Sequence, residues 1–261
     1  IIMACGLKTA PIELPPNVSI SCDSGKCNFE YNYGTSTCIA EHKTDGPYLD
    51  IQCYDVDSTL KYGDMNGGLI VEGVRLYAKS LNIYDDGEQA DAELIITHSA
   101  PNGRNLFICI PVTISDNEIV SSGKWFSKIM QTVSTISKND KQVINVKDFT
   151  LNDVIPTAGF IVYEKGTFEW SCKENDVIII FQIKDAINIS SSDYKILRTV
   201  LKDPDQSNRL QVLTKNLKFN KMGTMAGPNK KTGSLVEKTM TCRPVQTDNG
   251  TAIHELDKET D

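Results

Sequence analysis

The 261-residue chain lacks the features that would assign it most simply. No apolar run approaches the roughly 20 residues a membrane-spanning helix needs; Val177-Ile178-Ile179-Ile180-Phe181 is far shorter, which excludes a membrane span of that kind. Positive charge is in deficit, with a formal net charge of −7. A general nucleic-acid binder would need a basic surface for phosphate contacts, so that class is excluded. There are only 3 histidines, and the 8 cysteines include no Cys-x-x-Cys pair, which argues against a zinc ribbon or finger. No Gly-x-Ser-x-Gly elbow supplies a nucleophile. Neither an internal repeat nor an interdomain linker is visible, so residues 1–261 read as a single domain, with a core of about 5–250 and an acidic tail at 251–261.

What is present points outside the cell. The cysteines occur together with three sequons, at Asn17, Asn188 and Asn249. This combination favours an extracellular or lumenal protein with disulfides and candidate glycosylation sites.

The chain is rich in strand signals. Val74–Ala78 and Ala92–His98 are short, β-branched or aromatic runs separated by an acidic Asp85-Asp86-Gly87 turn region, and they read as an antiparallel pair. Alternation puts Arg75 and Tyr77 on one side of their strand, and Glu93, Ile95 and Thr97 on one side of theirs. An arginine between apolar neighbours demands a partner. Further strands are expected at Leu106–Val112, Gly159–Tyr163 and Val177–Ile183. Trp125, Ile129, Met130 and Val133 have helical spacing within 122–137. Ser190–Asp193 form a serine-rich N-cap before a second helix over 194–201. Many strands, few helices and no alternating βα units indicate a mainly β domain with short helices.

Two local patterns bear on partners. If Thr44-Asp45-Gly46-Pro47 is a hairpin turn, positions summing to 91 face each other, and Cys38 then opposes Cys53. Both a cross-strand disulfide or thiol pair and two small apolar fillers fit that register. Between Lys215 and Lys238 lie six lysines, among them Lys215, Lys218, Lys221, Lys230 and Lys231, and one acid, Glu237. That stretch reads either as a solvated loop or as an anion patch suited to a sulfated glycan.

Several pieces, in order, resemble the α-carbonic anhydrase family. Cys5-Gly6 through Pro11-Ile12-Glu13-Leu14 resembles the family's opening segment, and Ala92-Glu93-Leu94-Ile95-Ile96-Thr97-His98 resembles its Ala-Glu-Leu-His-Leu-Val-His. The helix at 122–137, Asp148-Phe149, Val154-Ile155-Pro156, Tyr163–Cys172, Val177–Phe181, Ile187–Ser190 and Arg243-Pro244-Val245-Gln246 follow. The resemblance implies the α-carbonic anhydrase fold, built on a large, twisted, mostly antiparallel central sheet.

It also implies a lost reaction. The family's three zinc-binding histidines correspond to Arg75, Tyr77 and Ile95, so the expected cofactor is none and the chain is not expected to be an enzyme. Glu169, Trp170 and Ser171 replace the family's threonine and prolines, and Pro47 stands where a proton-shuttling histidine sits in fast members. Glu93 matches the acid that orients a zinc-bound histidine; Arg75 is expected to substitute for the missing cation and to pair with Glu93 or Glu169. The resemblance further implies a Cys5–Cys172 disulfide and a hydrogen-bonded structural role for His98. Pairing of Cys22, Cys27, Cys109 and Cys242 is left open. A similar case within the family is the poxvirus cell-surface adsorption protein, which also has Tyr at the second ligand position and lacks the third histidine. The implied partners are the protein subunits of an extracellular, cell-surface or virion-surface assembly, with a sulfated glycan as the alternative and an enzyme with rearranged ligands as a third reading.

Overall fold

The computed structural model describes residues 10–15, 17–22, 25–34, 37–42, 47–54, 59–63, 65, 68–84, 87–116, 121–134, 141–144, 150–164, 166–168, 170–171, 173, 176–204, 210–211, 216–226, 242–246 and 252–256. In chain order the first strands are β1 (Ile12–Glu13), β2 (Phe29–Asn32), β3 (Thr37–His42), β4 (Tyr48–Tyr54), β5 (Thr59–Tyr62), β6 (Ile70–Tyr77), β7 (Ala92–Ser99) and β8 (Asn105–Ile114). Helix α1 (Ser121–Val133) and β9 (Lys141–Ile144) follow, then β10 (Phe160–Glu164), β11 (Val177–Phe181), β12 (Ile187–Ile189) and helix α2 (Ser191–Val200). The remaining strands are β13 (Leu210–Gln211), β14 (Leu217–Asn220), β15 (Met225–Ala226), β16 (Cys242–Gln246) and β17 (Ala252–Leu256).

The central sheet runs β14-β10-β11-β8-β7-β6-β4-β3-β9, with β12 joined to β8 beside that path. Its pairs are antiparallel except where β8 meets β11 and β12. Burial on both faces explains why β11, Val-Ile-Ile-Ile-Phe, is apolar at every position rather than alternating. Smaller sheets are β15-β2-β5 and β1-β13.

Alternation along the strands feeds two apolar cores, one on each face. Val74, Leu76, Leu94, Ile96, Ile108, Ile110, Ile179 and Phe181 enter the first, where α1 contributes Trp125, Phe126, Ile129, Met130 and Val133. Those helix positions recur at helical spacing and so share one stripe. Tyr77, Ile95, Phe107, Cys109, Ile161, Tyr163, Ile178 and Ile180 enter the second, covered by Ile12, Leu14 and Phe168. Helix α2 begins as its serines suggest, with Ser190 Oγ accepting from the Asp193 amide at 3.1 Å. Described helix α1 ends at Val133, short of residue 137, and residues 135–140 lie outside the described set.

Residues 1–230 and 231–261 form two compact units. In the second, β16 pairs antiparallel with β17, so Ala252–Leu256 lies in a strand.

β3 and β4 pair in the register set by positions summing to 91, and Cys38 and Cys53 are joined in a disulfide across that pair. Removing the bond as C38A/C53A is expected to lower unfolding free energy by about 3 kcal/mol, the scale for a loop of this length. Urea midpoints of the variant and the parent protein check this; unchanged midpoints would count against any such contribution.

Candidate functional site

β6 and β7 place Arg75 opposite Ile95 and Tyr77 opposite Glu93. Directly paired residues of antiparallel strands share a face, so all four side chains project to the same side. β8 extends that face with Cys109 opposite Ile95, and β4 extends it the other way with Tyr48 opposite Tyr77 and Asp50 opposite Arg75. Tyr77, Glu93 and Ile95 are buried, whereas Arg75 is half-buried.

The Arg75 guanidinium carbon lies over two aromatic rings, 4.6 Å from the Tyr48 centroid and 4.6 Å from the Trp170 centroid. Each ring face attracts the cation, by about 0.5–2 kcal/mol depending on desolvation. Trp170 is itself stacked on Phe168 at 4.4 Å, and Phe107 meets both edge-on, at 5.0 Å from Phe168 and 6.3 Å from Trp170. Tyr48 packs on Tyr77 at 5.4 Å. The arginine is therefore held by an aromatic clamp.

Glu93 does not take Arg75 as its partner. Its Oε2 accepts from the Leu81 amide at 2.6 Å and the Asn82 amide at 3.1 Å. Its Oε1 accepts from Asn82 Nδ2 at 2.6 Å and from the Tyr84 hydroxyl at 2.8 Å. The expected Arg75–Glu93 pair is corrected accordingly: the segment immediately after β6 turns back and supplies four donors, which satisfy the carboxylate without a cation. Asn82 Oδ1 in turn accepts from the Ile12 amide at 3.0 Å, and Ser80 Oγ donates to the Asn82 carbonyl at 2.9 Å. Burial pushes the Glu93 carboxyl above its usual range, and the donors from Asn82, Tyr84 and Leu81 pull it partly back. Burial likewise holds the Tyr77 phenol well above its ordinary value, with the Arg75 charge offsetting part of that shift. Tyr84 is raised by burial and by the adjacent Glu93.

His98 lies on the other face. Its Nε2 is 2.8 Å from the Tyr33 hydroxyl and its Nδ1 is 3.1 Å from the Leu106 carbonyl. A carbonyl can only accept, so Nδ1 carries the proton and Nε2 accepts from Tyr33.

The other candidate residues scatter. Glu169, Cys5, Cys172, Lys215, Lys230, Lys231 and Asn249 lie outside the described residues. Lys218 is ion-paired with Glu164 at 2.9 Å and Lys221 is exposed. Asn17 is exposed; Asn188 is half-buried in β12, with its Oδ1 accepting from the Thr113 hydroxyl at 3.3 Å. Cys22 and Cys27 form a disulfide, and Cys109 is a buried free thiol.

Sequence reasoning missed Tyr48, Asn82 and Tyr84. Asn82 and Tyr84 sit two apart in Leu81-Asn82-Ile83-Tyr84, shortly before Glu93 and connected through Gly87 at φ +86°. That proximity was the available signal.

No family model matches the chain, and no curated protein matches it. Solved structures do. Dioscorin complexed with ascorbate is 15% identical with a TM-score of 0.65, covering 83% of this chain and 87% of that one. Carbonic anhydrase Cah3 from Chlamydomonas reinhardtii, in complex with acetazolamide, is 17% identical with a TM-score of 0.63, covering 83% of this chain and 92% of that one. The α-carbonic anhydrase of Photobacterium profundum is 13% identical with a TM-score of 0.63, covering 82% and 89%. The fold is that of the α-carbonic anhydrases.

The family resemblance implies a zinc centre at Arg75, Tyr77 and Ile95, and these three residues do not fit one. Arg75 is a permanent cation, Tyr77 is a phenol held protonated by burial, and Ile95 has no donor atom. Among the described residues, no group of three His, Cys, Asp or Glu side chains is placed to hold a metal ion.

Proposed function

We propose that this chain is a catalytically inactive carbonic-anhydrase-like domain that acts as a structural or binding component of an extracellular or particle-surface assembly through protein–protein contacts. One observation carries the reading: Arg75, Tyr77 and Ile95 share the sheet face where the family resemblance puts three zinc-binding imidazoles, and the arginine is fixed there by Tyr48 and Trp170. Zinc-hydroxide chemistry needs three neutral donors and an open fourth position. A fixed guanidinium cation cannot donate a lone pair to a metal ion and repels it.

The Cys22–Cys27 and Cys38–Cys53 disulfides support an oxidising compartment. Among the described residues, no helix is long and apolar enough to cross a membrane. The sulfated-glycan alternative gains little from Lys218, whose charge is already met by Glu164.

Zinc quantification on the purified protein, combined with a carbon dioxide hydration assay, tests the reading. The expected result is substoichiometric zinc and hydration at the uncatalysed rate, before and after incubation with added zinc. Stoichiometric zinc with hydration above background would overturn it. Salt-sensitive retention on immobilised heparin would favour the glycan role over subunit contacts.

A further inference from the structure

A cavity of about 560 Å³ is walled by α1, by the start of α2 and by the residues that follow β8. That volume falls within the range of about 300–1,000 Å³ usual for small-molecule sites, most of which are lined by apolar side chains. Here the described lining has none: it consists of lysine, aspartate, serine, asparagine and glycine. Such a wall suits a ligand that presents hydrogen-bonding groups on every side.

Lys124 and Lys128 line the cavity at i and i+4 on α1, so they share one face of the helix, with Ser127 beside them. Ser121–Val133 contains no acid, so neither lysine has a carboxylate partner within its own helix. No ion pair joins either one to another residue among those described. Lys128 is half-buried all the same. Asp116 and Asp193 line the cavity too, and each is committed in part to the start of α2. Asp116 accepts from the Ser191 amide at 2.8 Å and from the Ser191 hydroxyl at 2.7 Å; Asp193 accepts from the Ser190 hydroxyl at 2.7 Å. A carboxylate offers about four lone-pair sites, so both keep capacity for further donors.

Two ammonium groups without ion pairs call for a negative charge. Two carboxylates in the same lining repel a bare anion but accept from hydroxyls. A ring that carries several hydroxyls and one acidic group meets both demands. We propose that this cavity binds an acidic saccharide unit, its carboxylate or sulfate ester at Lys124 and Lys128 and its hydroxyls at Asp116, Asp193, Ser127 and Ser192. The site is separate from the lysines of 215–238. It depends on neither the assembly role nor the loss of zinc chemistry, so its failure would leave both standing.

The test is a sodium glucuronate titration of the nitrogen-labelled protein, followed by proton–nitrogen correlation spectra at constant ionic strength held with chloride. The backbone amides of Gly123, Lys124, Ser127 and Ser192 are expected to shift saturably with a millimolar midpoint, while those of β6 stay fixed. Glucose, which lacks the acid, and inorganic sulfate, which lacks the hydroxyls, should each bind about tenfold more weakly or less. K124M/K128M should raise the glucuronate midpoint by about tenfold or more. Glucose 6-sulfate is titrated in parallel, and the tighter of the two acidic sugars identifies the acidic group. A shift that is absent or linear with both acidic sugars overturns the proposal, as does an unchanged midpoint in K124M/K128M. Glucose binding as tightly as the acidic sugars would overturn the role of the lysines, and inorganic sulfate binding as tightly would overturn the saccharide assignment. If the double variant does not fold, the four titrations of the parent protein decide the matter alone.

Discussion

E93A is expected to destabilise the protein by about 3–5 kcal/mol, the scale for removing one partner from a buried charged network. The mutation leaves two backbone amides, the Asn82 side chain and the Tyr84 hydroxyl without the acceptor they share. Each unsatisfied buried donor carries its own desolvation cost, about 1–3 kcal/mol before relaxation. Because relaxation and water entry recover some of that, the sum of four such costs is not expected. E93Q tests the donor argument more sharply. Its amide nitrogen would confront two backbone N–H donors in one orientation and the Asn82 side-chain N–H in the other, so glutamine should recover only part of the loss despite being nearly isosteric. Urea denaturation of both variants provides the measurement; E93A within about 1 kcal/mol of the parent, inside the range of an ordinary single hydrogen bond, would show that the 81–84 segment holds itself. Glu93 is thus a folding residue of this sheet face, whatever binds beside it.

Stability should also fall as pH drops from about 6.5 to about 4, by about 3 kcal/mol from His98 alone. Burial pushes the ring's pKa down to about 4 from 6.5, with the Leu106 carbonyl partly resisting. In that window the unfolded chain protonates its histidine while the folded chain does not, so acid favours unfolding. The contribution is full above about 6.5, declines through the window, and changes no further below about 4. Glu93 acts with the opposite sign. Its folded pKa is raised from 4.5, so its contribution is full below 4.5 and is lost as pH rises toward the folded value. The two groups together flatten the profile where their windows overlap. Unfolding free energies across this range for the parent and H98Q would separate them. H98Q should lose the His98 contribution between 4 and 6.5 and so be less destabilised by acid than the parent across that window, and an identical profile in both proteins would remove His98 from the account.

Much of the scaffold was legible from residue patterns. The alternation in Val74–Ala78 and Ala92–His98 put Arg75 with Tyr77, and Glu93 with Ile95, on common sides of their strands, and the structure joins those sides into one face. The pairing rule around Asp45 and Gly46 set Cys38 against Cys53 because antiparallel register follows arithmetically from a turn. Family resemblance supplied the global topology, which neither periodicity nor composition contains. The Cys22–Cys27 bond was not legible, since short spacing alone does not choose among eight cysteines.

The partners of the two charged residues were the part that sequence could not supply. Local backbone geometry, with its period of two along a strand, determined which side Arg75 and Glu93 face. It does not determine what comes to meet them. Burial of two charges on one face suggested that they neutralise each other, yet the chain solved each problem separately. Glu93 drew donors from the adjoining 81–84 segment, and Arg75 was enclosed by rings from β4 and from the segment preceding β11. A hydrogen-bonded carboxylate and an aromatic-stacked guanidinium each reduce their own desolvation cost. Choosing between those solutions and a direct ion pair depends on which distant segments pack against the face, and only the tertiary structure decides that.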